Sequence, residues 1–122
     1  MAVKPSDFLA SAQEMVTRGQ EIDYRNAASR AYYAAYLRVE RHAAELPSPA
    51  SSTGKGVHAK VIAKFSASDN EDLAALGISL SAMKKTRTAA DYKLQDTVSQ
   101  SDAMKQVEVA KLTLEEADRI FG

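Results

Sequence analysis

Cysteine is absent from this chain of 122 residues. Its absence excludes disulfide bonds, thiolate zinc sites and cysteine nucleophiles, and it is typical of proteins of the reducing cytoplasm. We therefore expect a cytoplasmic protein. Proline and glycine are scarce as well, with 3 and 5 residues, and they cluster where helices are expected to stop.

The chain also lacks a long apolar run and an excess of one charge. Its apolar stretches are far too short to cross a bilayer, and the start MAVKPSDFLASAQEMV has no continuous apolar segment like that of a signal peptide. We expect no membrane association. The 16 basic and 16 acidic residues give a net charge of zero, so any attraction to nucleic acid has to come from a local patch.

The residues that are present indicate a small helical protein. A hydrophobic content of 45% and a charged content of 26% are ordinary for a folded domain, and the length fits one domain over residues 1–122. Apolar residues recur every three or four positions, and no segment alternates with the period of two that a half-buried strand requires. The sequence predicts an all-α fold, an antiparallel bundle of about five helices.

Capping residues and helix breakers predict where these helices lie. A loop rich in proline and glycine, residues 46–56, separates the second helix from the third. The first predicted helix runs from an N-cap at Ser6 to Gly19, and the second covers about 24–46 with Asp23 as its N-cap. The third covers about 57–65. The fourth runs from a cap at Asp69 to about 92, and the fifth runs from a Ser99–Asp102 capping box to the C-terminus.

Arg87 breaks the pattern of the fourth helix. The apolar stripe that starts at Leu73 and reaches Met83 continues, at helical spacing, to Arg87. Because arginine stays ionised, it needs a counter-charge, hydrogen-bond acceptors or a wet cavity on a core-facing side. Asp91 lies one turn later and is within reach. The alternative is a helix end that has left the core, with Arg87 in a surface ion pair.

The second helix is dense in tyrosine. Tyr33 shares a stripe with Arg30, and Tyr32 and Tyr36 are close to it in sequence. Tyrosine combines apolar area with a terminal hydroxyl, so it suits base stacking, the walls of polar cavities and protein interfaces. The alternatives are therefore a contact with RNA, a core edge or a homodimer surface.

A local basic patch surrounds Asp91 on the fourth helix. Lys84, Lys85, Arg87 and Lys93 lie within ten residues of one another with this single acid between them. Such a patch can hold a phosphate backbone, and it is also common on solvated helix faces that bind nothing.

The two histidines, His42 and His58, stand alone. Neither belongs to a motif with metal-ligand spacing, and a lone helical histidine usually has a structural role. No serine triad and no paired-carboxylate site is recognisable either. We therefore expect neither a metal nor a cofactor.

Two stretches carry a family resemblance. RNAASRAYYAAYLRVERHA, residues 25–43, resembles the second helix of the HEPN superfamily, and MKKTRTAADYKL, residues 83–94, resembles its fourth-helix motif region. The sequence R-x-x-A-D-Y, residues 87–92, is similar to that of a subgroup of small stand-alone HEPN proteins. In helix order and length the resemblance covers nearly the whole chain.

The resemblance implies a homodimeric helical bundle with an RNA-linked function. Many HEPN proteins are metal-independent endoribonucleases with an R-x(4-6)-H motif, and many act as toxins beside a small nucleotidyltransferase antitoxin. In that scheme the arginine and histidine of both subunits meet, and the 2′-hydroxyl of the RNA attacks the neighbouring phosphate. RNA and a nucleotidyltransferase-like antitoxin are thus the implied partners.

Carried over by position, the motif gives Arg87 the role of phosphate-binding cation and Asp91 that of orienting it. Tyr92 stands where the motif histidine is expected. A tyrosine hydroxyl keeps its proton at neutral pH, so Tyr92 is a poor general base there, although it can donate a hydrogen bond. The histidines lie outside the motif spacing, but the fold or a dimer can bring them close. The residues assigned to RNA binding are Arg30, Tyr33, Lys84 and Lys85.

Three functions are consistent with these residues. The first is a toxin-like endoribonuclease with a variant R-x4-Y motif. The second is a non-catalytic HEPN dimer that binds RNA, a nucleotide or a nucleotidyltransferase. The third is a helical scaffold whose tyrosine-rich face is a dimer seam. Catalysis that depends on Arg87 is expected only for the first.

Overall fold

The computed structural model describes residues 2–122, and within them it contains helices and turns but no strand. The prediction of an all-α bundle of five helices is thereby confirmed. The helices are α1, Pro5–Met15; α2, Glu21–Glu40; α3, Val57–Ser66; α4, Glu71–Tyr92; and α5, Gln100–Phe121. Two short 3₁₀ turns, Ala43–Glu45 and Ala50–Ser52, lie between α2 and α3.

Helix α2 is the centre of the bundle. It packs against α1, α4 and α5, while α3 packs on α4. Five alanines of α2 are fully buried, which lets the neighbouring helix axes approach closely. The largest fully buried side chains are Tyr32, Val39, Phe65, Leu80 and Met83.

The N-cap predicted for α5 agrees with the structure, and the one predicted for α4 does not. The box at the start of α5 is confirmed: Ser99 Oγ accepts from Asp102 N–H at 3.1 Å, and the Asp102 carboxylate accepts from Ser99 N–H at 3.0 Å. These hydrogen bonds lower the pKa of Asp102. The predicted cap at Asp69 is wrong by one residue. Asn70 caps α4 instead, because its side-chain oxygen accepts from Asp72 N–H at 2.9 Å.

The starts of α1 and α2 also differ from prediction. Lys4, and not Ser6, is the N-cap of α1, because Pro5 takes the first helical position, where its missing N–H costs nothing. Gly19, with a φ of 87°, completes the turn between the helices. Helix α2 therefore begins at Glu21, earlier than the predicted cap at Asp23.

The predicted end of α2, at about residue 46, lies beyond the observed end of the helix. The helix stops at Glu40, and the chain continues through the 3₁₀ turn Ala43–Glu45. At this end the buried Arg38 donates to the Asp118 carboxylate at 3.0 Å and lies 3.0 Å from His42 Nε2. The His42 ring stacks on Phe121, 3.7 Å between centroids. These contacts join the end of α2 to the last turn of α5.

Arg25 makes a second connection between distant segments. Its side chain is 7% exposed, and its guanidinium pairs with Glu21 at 2.9 Å and donates to the carbonyl oxygen of Ala90 at 2.9 Å and to that of Asp96. The hydrogen bonds from Arg25 lower the pKa of Glu21. Arg25 thus ties the start of α2 to the end of α4 and the loop that follows, and so fixes the position of the segment with the R-x-x-A-D-Y sequence.

Helices α3 and α4 meet at a glycine. Gly77 is buried in α4, and a Cβ atom added to it would lie 2.8 Å from Ser66 Cα and closer still to Ser66 N. Since glycine weakens a helix interior, its presence here reflects this close approach.

No helix within residues 2–122 combines the length and the apolar character that a membrane span requires.

Candidate functional site

Arg87 lies inside the protein, between α2 and α4. Its side chain is only 12% exposed, so the alternative of a solvated surface ion pair is wrong. The guanidinium carbon is 5.4 Å from the ring centroid of Tyr32 and 5.7 Å from that of Tyr33. Cation–π attraction to two rings favours this placement of the charge. The core-facing position predicted from the α4 stripe is confirmed.

Asp91 supplies the counter-charge. Its Oδ2 atom lies 3.6 Å from Arg87 Nη1, and Ser29 Oγ donates to the same oxygen at 3.2 Å. A charge-assisted hydrogen bond is normally about 2.7–2.9 Å long, so the pair is loose. Asp91 therefore orients the guanidinium without occupying its donors fully.

One donor of Arg87 has no partner. The Nε atom of Arg87 is buried, and it makes no hydrogen bond with any of the residues 2–122 that the structure describes. Leaving a buried charged donor unpaired costs about 1–3 kcal/mol or more, and such atoms often mark functional sites.

His58 joins this group from the first turn of α3. Its ring stacks on Tyr36 with centroids 3.9 Å apart and planes tilted by 6°. Its Nδ1 atom is 2.7 Å from Tyr32 Oη, and Tyr32 is one of the two rings beneath the guanidinium of Arg87. The fold thus brings a histidine to the motif arginine from 29 positions away in the sequence.

The electrostatics of the site keep His58 neutral. Burial lowers its pKa below the usual 6.5, and the positive charges of Arg87 and Lys84 lower it further. Burial also raises the pKa of Tyr32 and of Tyr36, so both phenols keep their protons. At neutral pH the site therefore holds a fixed cation beside an uncharged imidazole that can accept a proton.

We call this group the Arg87 site. Its members come from three helices and are Ser29, Tyr32, Tyr33 and Tyr36 of α2, His58 of α3, and Arg87 and Asp91 of α4.

The structure brings some of the predicted site residues together and leaves others at the surface. Tyr33 is half-buried and meets His58 edge to face at 5.7 Å, and Lys84 is half-buried with its charge acting on His58. Arg30 and Lys85 are exposed on their helices. They contribute positive charge at the surface.

Tyr92 lies at the last residue of α4 and is 71% exposed. It adjoins the loop residues 93–96 around an open depression. The histidine that contacts the surroundings of Arg87 is therefore His58 of α3, and Tyr92 is exposed to solvent.

No family model, curated protein or solved structure matches the chain. The HEPN assignment stays a prediction that rests on residues 25–43 and 83–94.

Four members of the site were not among the residues assigned to it from the sequence, although Tyr32 and Tyr36 were noted beside Tyr33 and His58 was expected to reach the motif only through the fold or a dimer. Ser29, Tyr32 and Tyr36 recur at steps of three and four along α2, and this spacing was a usable signal. His58 gave no local signal, because its position depends on how α3 packs on α4.

Within residues 2–122 no three or more histidine, aspartate or glutamate side chains are grouped as metal ligands would be.

Acidification is expected to destabilise the protein in the acidic window below about pH 6.5. The pKa values of His42 and His58 are both lowered by burial in the folded state, so the unfolded chain binds protons more readily and stability falls as the pH drops through this window. Urea unfolding at pH 7.5 and pH 5.2 measures the effect. The double variant His42→Gln, His58→Gln should lose most of the pH dependence, and an unchanged dependence would contradict this assignment.

Proposed function

We propose that this protein is a HEPN-type RNA-directed protein, and that the Arg87 site binds a phosphodiester of single-stranded RNA and cleaves it without a metal. The observation that carries the proposal is the buried guanidinium of Arg87, with an unpartnered Nε, held over two tyrosine rings that also contact a neutral His58.

Phosphate binding follows from the donors of the site. An arginine offers five N–H groups in a planar fork that matches phosphate oxygens. The loose contact with Asp91, 3.6 Å, leaves part of this fork without a strong partner. Tyr33 is half-buried, so it presents ring area for a base next to the phosphate.

The chemistry would use groups already in place. His58 takes the proton of the 2′-hydroxyl, the 2′-oxygen bonds to the adjacent phosphorus, and the bond from phosphorus to the 5′-oxygen breaks. The 5′-oxygen then takes a proton from solvent water and His58 returns its proton to solvent, which leaves a 2′,3′-cyclic phosphate and a 5′-hydroxyl. Arg87 stabilises the additional negative charge on the phosphate oxygens.

A homodimer is part of this proposal. Tyr92 and Leu94 are 71% and 76% exposed at the end of α4, and exposed apolar area of this kind is typical of interfaces. A partner subunit could place its Tyr92 hydroxyl beside the Arg87 site as a donor. A nucleotidyltransferase-like antitoxin is the proposed second partner, on the resemblance alone.

His58→Gln tests the catalytic part of the proposal. Glutamine keeps hydrogen-bonding atoms beside the Tyr32 hydroxyl but cannot take up a proton. The cleavage rate is therefore expected to fall about 100-fold or more, while the affinity for RNA changes little. Single-turnover cleavage and fluorescence anisotropy measure the two quantities. His42→Gln, far from the site near Phe121, is the matched control. A variant that cleaves as fast as the wild type would contradict the role of His58.

The second candidate is a non-catalytic RNA-binding dimer. It is favoured by the exposure of Tyr92, since the residue at the motif histidine position points away from Arg87 in the isolated subunit. This alternative predicts RNA binding that depends on Arg87, together with no cleavage at any pH.

A further inference from the structure

A second positive hollow lies next to the Arg87 site. It is enclosed by the loop that precedes α3, by α3 itself and by the middle of α4, and its volume is about 370 Å³. Its polar lining consists of Lys55 and Ser51 of the loop, Ser66 of α3, and Ser81 and Lys84 of α4. We call it the Lys55 hollow.

The lining of the Lys55 hollow has the chemistry of an anion site. Two lysines and three serines line it, and no aspartate or glutamate is among its lining residues, although the chain contains as many acidic as basic residues, 16 of each. Lysine attracts phosphate as a point charge, and serine hydroxyls donate to its oxygens. The remaining lining is small and apolar, mainly alanine of α3.

Lys84 connects the hollow with the Arg87 site. It lines the hollow, stands three positions before Arg87 on α4, and its charge acts on His58. Residues three apart on a helix are neighbours on its surface. The two positive sites therefore lie side by side and share Lys84 as their boundary.

We infer that the Lys55 hollow binds a second phosphate of the same RNA strand, the one adjacent to the phosphate held by Arg87. This inference rests on the proposed function. It makes single-stranded RNA with at least two consecutive phosphates the ligand of the combined surface. A single nucleotide uses the Arg87 site alone. Lys55 is exposed and lines the hollow, whose lining includes no member of the Arg87 site, so a change at Lys55 distinguishes the two subsites.

Lys55→Gln tests the inference with two probes, the trinucleotide UpUpU and uridine 3′-monophosphate. For UpUpU we expect about a tenfold weaker affinity. We also expect the slope of log K against log salt concentration to become shallower by about 0.7, the value for one phosphate of a single strand. Affinity for the monophosphate is expected to stay at the wild-type value. Titration calorimetry at three salt concentrations measures both.

Two further variants serve as controls. Lys60→Gln removes one exposed lysine from α3 outside the hollow and should change neither affinity. Ser81→Ala removes a hydroxyl from the opposite wall and should weaken UpUpU alone, which repeats the test without a change of charge.

The outcomes separate the inference from the proposed function. If Lys55→Gln leaves UpUpU binding unchanged while Arg87→Gln abolishes it, the second subsite is wrong and the RNA site stands. Equal losses for UpUpU and the monophosphate would also overturn a separate subsite. If the wild type binds neither probe, both proposals fail.

Discussion

Arg87→Gln is expected to reduce metal-free RNA cleavage by about 100- to 1,000-fold, which is the usual cost of removing one preorganised donor to a developing negative charge. Glutamine keeps a polar amide in the site, but it is shorter than arginine and carries no charge for the phosphate. Because Arg87 makes only a loose contact with Asp91, 3.6 Å, and leaves one buried donor unpaired, its replacement by glutamine should not unfold the protein. Single-turnover rates at saturating protein measure the effect.

Two companion variants make this result specific. Arg87→Lys keeps the charge but lacks the planar fork, so it should recover only part of the activity. Arg18→Gln removes an arginine of similar type at the exposed end of α1, where it pairs with Glu14 at 3.0 Å, and should leave the rate unchanged. Circular dichroism of all variants should match the wild type. Wild-type rates in a folded Arg87→Gln protein would rule out Arg87 as the catalytic cation.

Gly77→Ala is expected to destabilise the fold by about 1–3 kcal/mol, the typical cost of overpacking. The new Cβ would lie 2.8 Å from Ser66 Cα and closer to Ser66 N. These are backbone atoms of α3, so they cannot move aside as a flexible side chain could. Alanine favours a helix by about 1 kcal/mol over glycine. The expected loss of stability is therefore the cost of the overpacking minus this gain in helix propensity.

Gly56→Ala is the matched control for this prediction. A Cβ at Gly56 meets nothing within 4 Å, and its φ of −68° suits any residue. The free energy of unfolding of Gly56→Ala should stay within about 0.5 kcal/mol of the wild-type value. Alanine stabilises the protein by lowering the entropy of the unfolded chain, and as a slightly poorer N-cap it destabilises the protein by a similar amount. Urea unfolding at constant pH measures both variants. A Gly77→Ala protein as stable as Gly56→Ala would contradict the close packing of α3 on α4.

The regular parts of the fold were predictable because they depend on local patterns. The span of α3, the end of α4 at Tyr92 and the capping box at Ser99 follow from spacing and capping chemistry. The predicted N-caps of α1, α2 and α4 were wrong by one to three residues, and the observed N-caps of α1 and α2 accept no cap hydrogen bond with their side chains, so they carry no capping signal in the sequence. Where these helices begin depends on the adjoining turn, as with Gly19.

The candidate site was predictable only where it lies on one helix. Arg87 and Asp91 are one turn apart, so their pairing follows from helix geometry. The contact of His58 with Tyr32 spans 26 residues and depends on the path of the loop before α3. The buried role of Arg25 was missed for the same reason, because its carbonyl partners lie more than 60 residues away.

This dependence on tertiary packing changes how the motif is understood. The sequence places a tyrosine where the family resemblance expects histidine, which suggests a lost proton acceptor. The fold supplies an imidazole from α3 beside the same arginine. Under the proposed function, His58 replaces the motif histidine in space while Tyr92 occupies its place in sequence.

Analysis of the RNA ends left by the purified protein in EDTA tests the central claim most directly. Labelled single-stranded RNA is incubated with the wild type and with Arg87→Gln between pH 5 and pH 8, and the products are identified by mass spectrometry. The proposed site predicts 2′,3′-cyclic phosphate and 5′-hydroxyl ends from the wild type alone, with the rate falling as His58 becomes protonated at acidic pH. Intact RNA at every pH, or identical products from Arg87→Gln, would contradict it.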